Sequence, residues 1–511
     1  MRGEAGNSAR VREAYIAKRI KQLVLQAFVF TKVRRAFSMI AFGTGGWRAI
    51  IGDDFTRENV QRLTLAVARR MKREENDDRG FCIGYDRRFL SREAAQWAAE
   101  IMAAEHIHTL LINREAPTPL IMFTVQYYGL YYGMAVTASH NPALYNGIKL
   151  FTKGGRDAVE SITSEIADEA NAITADELHP IPYQKAVDAG LIEEMNPQNE
   201  YLDSIIRAVN MDAIRSRNLR IILDPMYGVS RTCLQTILLT ARCDVDVIHE
   251  RHDTLFGGRL PAPNMETLGA LKAAVLQNHA DIGIATDGDA DRLGIIDDKG
   301  RFIHPNEILV LLYDYLLGYK HWHGCAVRNL ATTHLLDRVA EAYGEKCYEV
   351  PVGFKWISSA MDEHNAVIGG ESSGGLTVRG HIHGKDGIYA AALLVEMLSV
   401  TGKKLSELVE SIYERYGHCY MAEYDWPFDQ EMKERLHKLI MIDKQLPEFP
   451  EKVESVSYMD GCKVRFADGW IIARFSGTEP RLRIFCEMPT KEKARDLANL
   501  MARYLGLPEK E

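Results

Sequence analysis

Cysteine is scarce, with eight among 511 residues. None of Cys82, Cys233, Cys243, Cys325, Cys347, Cys419, Cys462 and Cys486 stands in a C-x-x-C pair. That density cannot staple a disulfide scaffold, and that spacing offers no structural zinc site. Most of these residues lie in apolar, strand-like runs, where a free thiol behaves as a small hydrophobe; a reducing cytoplasm is the expected setting. Long apolar runs are also missing. The longest, Ile308 to Leu317 and Leu23 to Phe30, fall far short of the roughly 20 residues a spanning helix needs, so no membrane partner is expected. Neither sign of charge dominates: 62 Lys and Arg stand against 70 Asp and Glu, a net charge of -8. That balance excludes a general nucleic-acid coat. No low-complexity segment and no repeat at a fixed short period is present.

What remains is an ordinary globular composition, 26% charged and 46% apolar, long enough for three or four domains at roughly 150 residues each. The first 38 residues stand apart, with nine basic and two acidic side chains. Ile16, Ile20, Leu23, Val24, Ala27 and Phe28 fall there at helical spacing between lysines and arginines. Such a segment reads as a targeting or membrane-surface helix, or as an upstream extension outside the fold. Patterned sequence begins abruptly at Met39, which is the expected true start.

From Met39 short strand-like runs alternate with helical ones. Phe81 to Tyr85 precedes a helix expected to be capped by Ser91 and to end near Glu105. Leu110 to Ile112, Tyr131 to Val136, Leu219 to Leu223, Val245 to Ile248 and Ile282 to Ala285 read as further strands. Pro305 opens an apolar helix that Gly318 can end. This rhythm predicts α/β layers with mainly parallel sheets. After Gly417 it changes to clustered strands between two helices, the second from Lys491 to Tyr504, which suggests a smaller α+β unit. The expected division is 39–205, 206–304, 305–416 and 417–511.

Five polar patches carry the chemistry, although for most of them taken singly a plain turn is an equal reading. Thr137-Ala138-Ser139-His140-Asn141-Pro142 follows a strand. Ser139 therefore sits at the strand's C-terminal end, where open α/β sheets place ligands, and His140 and Lys149 are near in sequence. Asp287-Gly288-Asp289-Ala290-Asp291-Arg292 sets three carboxylates at i, i+2 and i+4. On an extended loop they would share one side and repel unless a cation neutralised them. Arg292 and Asp298 occupy the places where an EF-hand needs glycine and glutamate, so Mg²⁺ fits better than calcium. Gly43-Thr44-Gly45-Gly46-Trp47-Arg48 lets backbone N–H groups approach an anion. Glu371 with Ser373 suits sugar hydroxyls, and Arg474, Ser476 and Thr478 around Gly477 suit a phosphate.

In this order the motifs resemble the α-D-phosphohexomutase family, most closely its phosphoglucomutase/phosphomannomutase members, over essentially all of Met39 to Arg503. The resemblance implies three similar mixed-sheet α/β domains and a smaller C-terminal one around a central cleft. It implies Ser139 as phosphoserine, with Asp287, Asp289 and Asp291 holding Mg²⁺ together with the phosphate on Ser139. Arg48, His140 and Lys149 then assist proton transfer, while Arg292 adjoins the phosphate. Glu371 and Ser373 read the sugar, Gly353 and Lys355 form a substrate loop that Lys385 joins, and Arg474, Ser476, Gly477 and Thr478 grip the far phosphate. The implied reaction interconverts hexose 1-phosphate and 6-phosphate, an isomerisation through a hexose 1,6-bisphosphate that also serves as activator. Glucose is placed first because of the opening G-T-G-G-W-R; Ser372 in the hydroxyl-reading loop leaves a mannose or dual preference open. A sugar-phosphate-binding regulator and a metal-dependent phosphatase are the competing classes. Oligomeric state is not legible.

Overall fold

The computed structural model describes residues 39–43, 45–476 and 481–510. The basic segment 1–38 lies outside the described residues, as do Thr44, Gly477 and Thr478. Among the described residues no helix is long and apolar enough to cross a membrane.

Four sheets carry the chain. The first runs in the order Phe42–Gly43, Gly46–Ile50, Tyr145–Thr152, Tyr132–Val136, Phe81–Tyr85, Thr109–Ile112, Ile192–Met195, with Arg156–Asp157 paired to Tyr145–Thr152. The second is Asp244–Val247, Arg220–Asp224, Ile282–Thr286, Leu293–Asp297, Phe302–Ile303. The third is Cys347–Val350, Ala326–Asn329, Ile368–Gly370, Leu376–Val378. The same four-strand pattern occurs in all three. A central strand has parallel neighbours on both sides, and the later neighbour turns back as an antiparallel hairpin. The sheets are thus mixed rather than mainly parallel. The fourth sheet, Tyr420–Pro427, Arg481–Met488, Trp470–Phe475, Cys462–Arg465, Ser455–Ser457, is antiparallel throughout.

Burial follows the hydropathy pattern. One face of the first sheet packs on helices Arg57–Arg73 and Ser91–Ala104 through Val60, Leu63, Ala94 and Ala98. Its other face joins a core shared with the second and third sheets, through Ile121, Ile284 and Leu376. Helices Pro305–Gly318 and Gly387–Thr401 lie within that core, so they are apolar on nearly every side. The fourth sheet keeps its own core, with Ile471, Ile484 and Leu497. One expected cap differs: Leu90 occupies the cap position before Ser91–Ala104 in a left-handed conformation. The Ser91 hydroxyl instead donates to Asp86 Oδ1 at 2.7 Å. Its oxygen accepts from Asn146 Nδ2 at 2.9 Å, so Ser91 opens the helix instead of capping it.

Candidate active site

In each of the first three sheets the turn into the antiparallel hairpin carries one of the polar patches: Ser139 after Tyr132–Val136, the aspartates after Ile282–Thr286, Glu371 and Ser373 after Ile368–Gly370. Ser139 is buried, with φ 51°, a backbone state costly for a residue with a Cβ. Local bonds hold it there. The Ser139 N–H donates to Thr137 Oγ1 at 2.9 Å, and Thr137 in turn donates to Asp86 Oδ2 at 2.7 Å. The buried Arg88 guanidinium donates to four carbonyls of the same loop: Ser139 and Asn141 at 2.7 Å, Pro142 at 2.9 Å and Tyr145 at 3.0 Å.

The Ser139 hydroxyl donates to Asp287 Oδ2 at 2.7 Å, across 148 residues of sequence. Asp287, Asp289 and Asp291 are fully buried, and one oxygen from each lies within 4.8 Å of the others. Their loop is a tight turn with Ala290 at φ 64°, not the extended run the spacing suggested. Convergence comes from that turn, since alternation along an extended chain is not available to it. The Ser139 and aspartate loops also touch at their backbones: a Cβ on Gly288 would stand 2.7 Å from the Ser139 carbonyl.

Cations surround the trio. Lys149 Nζ donates to Asp289 Oδ2 and Asp291 Oδ2, each at 2.6 Å, Lys385 Nζ lies 3.0 Å from Asp291 Oδ2, and the Thr118 hydroxyl donates to Asp289 Oδ2 at 2.6 Å. The second oxygens, Asp289 Oδ1 and Asp291 Oδ1, are buried with no hydrogen bond among the described residues, although Arg292 Nε lies 3.8 Å from Asp291 Oδ1. Three buried carboxylates within reach of one another, two with an oxygen that makes no hydrogen bond, suit a hard, oxygen-seeking divalent cation. Burial, then Asp289 and Asp291, push Asp287 well above the usual carboxylate range. For Asp291, burial works in the same direction, but Lys149, Lys385 and Arg292 overcome it and hold the acid well below that range. Arg292, and then burial, drive His140 well below its usual value, so the imidazole is neutral; its Nδ1 lies 3.5 Å from Ser139 Oγ. Burial, and then Arg292, draw Arg48 down to about 10. Its Nη1 donates to Asn141 Oδ1 at 2.6 Å.

Beside this centre opens a cleft of about 320 Å³ lined by Gly45, Gly46, Lys149, Lys355 and Arg474 among others. Gly46, at φ 112°, lies so close to the neighbouring strand that a Cβ would meet the Ile148 carbonyl at 2.6 Å. Gly353, at φ 129°, caps the helix that bears Lys355, whose Nζ pairs with Glu160 at 2.9 Å. Arg474 pairs with Asp460 at 2.9 Å, and the Ser476 N–H closes its hairpin on the Arg481 carbonyl at 2.8 Å. Ser373 Oγ donates to Glu371 Oε1 at 2.6 Å. Lys385 does more than join the Gly353 loop. Its stem fills the space a side chain at Gly375 would take, and its Nζ reaches the aspartates. Sequence reasoning missed Asp86, Arg88 and Thr118. The available signal was Asp-x-Arg directly after a strand, at the same sheet end as Ser139.

Comparison with known proteins places the chain in a family. Residues 39–177, 199–300 and 304–416 match phosphoglucomutase/phosphomannomutase alpha/beta/alpha domains I, II and III, and 436–503 match the C-terminal domain of the same family. A phosphoglucomutase/phosphomannomutase of Thermococcus kodakarensis is 30% identical over 91% of this chain and 98% of its own. A Pyrococcus abyssi protein provisionally named phosphoglucosamine mutase is 31% identical over 89% of this chain and 95% of its own. A solved protein of Thermus thermophilus, provisionally a phosphomannomutase, superposes with a TM-score of 0.78 at 29% identity, over 91% of this chain and 99% of that one. Matched in all four domains and along nearly its whole described length, the chain belongs to the phosphoglucomutase/phosphomannomutase family of isomerases.

Proposed function

We propose that the protein interconverts hexose 1-phosphate and hexose 6-phosphate through a phosphoserine at Ser139 and a hexose 1,6-bisphosphate, with glucose the favoured hexose. The observation that carries this reading is the buried Ser139 hydroxyl 2.7 Å from Asp287, inside a trio of acids, two with an oxygen that makes no hydrogen bond among the described residues. Asp287, Asp289 and Asp291 would hold Mg²⁺, with the phosphate on Ser139 completing its shell; bound there, the ion offsets the charge of the transferring phosphoryl group. The chain's own groups do the rest. Arg88 and Thr137 fix the nucleophile's loop, and Lys149, Lys385 and Arg292 add positive charge around the reacting phosphate. Glu371 and Ser373 accept and donate to sugar hydroxyls. Arg474 and Lys355, with Ser476, Gly477 and Thr478, receive the phosphate that is not reacting. Burial of the centre keeps water from hydrolysing the phosphoserine.

The bisphosphate turns between half-reactions, so each of its phosphates visits both sites. The units 39–205, 206–304, 305–416 and 417–511 supply, in order, the nucleophile, the acids, the hydroxyl readers and the far-phosphate clamp. The decisive assay offers glucose, mannose and glucosamine 1-phosphates side by side, with Mg²⁺ and trace glucose 1,6-bisphosphate. Fastest conversion of the glucose ester supports the reading. Release of inorganic phosphate in place of isomerisation would make the protein a phosphatase.

A further inference from the structure

Transfer to a sugar hydroxyl requires a group that takes the hydroxyl's proton as the oxygen attacks phosphorus. The groups around Ser139 are poorly suited to that task. His140 Nδ1 stands 3.5 Å from Ser139 Oγ, on the serine's side of the transfer. Lys149 Nζ is committed to two carboxylates, donating to Asp289 Oδ2 and Asp291 Oδ2 at 2.6 Å each. Lys385 is paired with Asp291, and Arg48 and Arg292 are guanidiniums. The three aspartates face one another across the cation site.

Three acids line the adjoining cleft: Asp157, Glu160 and Asp460. Glu160 is paired with Lys355 and Asp460 with Arg474. Asp157 is the one with no hydrogen bond or ion pair to its carboxylate among the described residues, and it is half-buried. It stands on the two-residue strand Arg156–Asp157, opposite Phe151 of Tyr145–Thr152. Phe151 lies two residues from Lys149, so Asp157 and Lys149 project from the same face of the sheet. Lys149 and Lys385 face Asp157 with opposite charge, and Asp291 and Glu371 with like charge. The helix Phe354–His364, packed on this strand, brings Lys355 to the cleft and Asp362 to Arg156 and His383.

We infer that Asp157 is the carboxylate that takes the proton from the attacking sugar hydroxyl, an assignment that rests on the phosphoserine reading above. The O–H bond breaks with its proton going to Asp157, and the sugar oxygen bonds to phosphorus. The bond from phosphorus to Ser139 Oγ breaks with its electron pair passing to the serine oxygen. Cleft water protonates that oxygen and recovers the proton from Asp157, so none is gained or lost. In the return half-reaction the path runs backwards: as Ser139 Oγ attacks phosphorus its proton passes through cleft water to Asp157, which gives it to the departing sugar oxygen. Burial supports the assignment by raising the proton affinity of Asp157 above that of an ordinary aspartate, against the pull of Lys385 and Lys149.

The test compares wild type, Asp157→Asn and Asp157→Glu on glucose 1-phosphate across pH, with phosphate on Ser139 followed by intact-protein mass. Asp157→Asn should lower kcat by about 100-fold or more, keep KM within about threefold, and remove the fall in kcat on the acid side. Asp157→Glu should restore part of the rate, and both variants should still carry phosphate on Ser139. A kcat of Asp157→Asn within about threefold of wild type overturns the assignment, as does a tenfold rise in KM with kcat retained, which marks a sugar-hydroxyl reader. Absence of phosphate on Ser139 in the wild-type protein defeats the phosphoserine reading itself, whatever Asp157 does.

Discussion

Two clusters of buried charge in this molecule contrast, and only one is arranged for chemistry. At the junction of the third and fourth sheets, Lys463 Nζ lies 2.5 Å from Glu349, 2.9 Å from His334 Nε2 and 2.7 Å from the Leu330 carbonyl. Arg328 adds pairs with Glu349 and with Asp337. Signs alternate there, so each charge offsets the desolvation of its neighbour, and Leu330, Trp470 and Ile472 close an apolar patch beside them. At the active centre three carboxylates are pressed together, and two of their oxygens make no hydrogen bond among the described residues. Buried charge alone therefore marks no site. Like charges held together by the fold do: Lys149 and Lys385 pair with Asp289 and Asp291 but leave Asp287 without an ion pair among the described residues.

The comparison can be broken most sharply at Ser139. Ser139→Ala should reduce turnover by about four orders of magnitude or more and abolish protein-bound phosphate, while leaving the junction intact. Chelation is next in size. Stripping divalent ions should lower activity by about 100-fold or more, Mg²⁺ should restore it, and thermal unfolding should shift with the ion present. An enzyme fully active in excess chelator would remove the reason for the acid trio. Arg88→Ala, which leaves Asp86 buried without its cation, should cost about 3–5 kcal/mol in denaturant unfolding. Arg88→Lys keeps the charge but not the fork, so it should recover stability more than rate. The smallest effect belongs to the junction. Burial, then Arg328, hold His334 down to about 3. The unfolded chain thus binds a proton that the folded one refuses, and stability present above pH 6.5 is lost as pH falls toward 3. From pH 7 to 5 this should cost on the order of 1–2 kcal/mol, and His334→Gln should flatten the slope. An acid sensitivity unchanged in that variant would locate the titrating group elsewhere.

Much of the site was legible because each cluster is short. Ser139 with His140, the Asp-x-Asp-x-Asp run and Glu371 with Ser373 each lie within five residues, and their chemistry needs those types close together. Arg88 was not legible, because its four carbonyl partners fall more than 50 residues away and any arginine on a loop reads as solvated. Asp157 was hidden for the same reason: an aspartate just past two glycines and an arginine looks like part of a turn until a cleft forms around it. The threefold recurrence of one strand pattern escaped as well. Backbone topology repeats without requiring the same side chains, provided each strand stays apolar on its buried faces.

Local sequence determined the strands and helices, the turns at which polar groups collect and the kinds of group in each, because hydropathy period and residue chemistry act over a few positions. Tertiary structure alone decided which turns meet. The shared core of the first three sheets brings Ser139 to Asp287 and Lys149 to Asp289 and Asp291, at sequence separations of 148, 140 and 142. Contacts at such separations depend on how whole sheets pack, and no short stretch of chain encodes that.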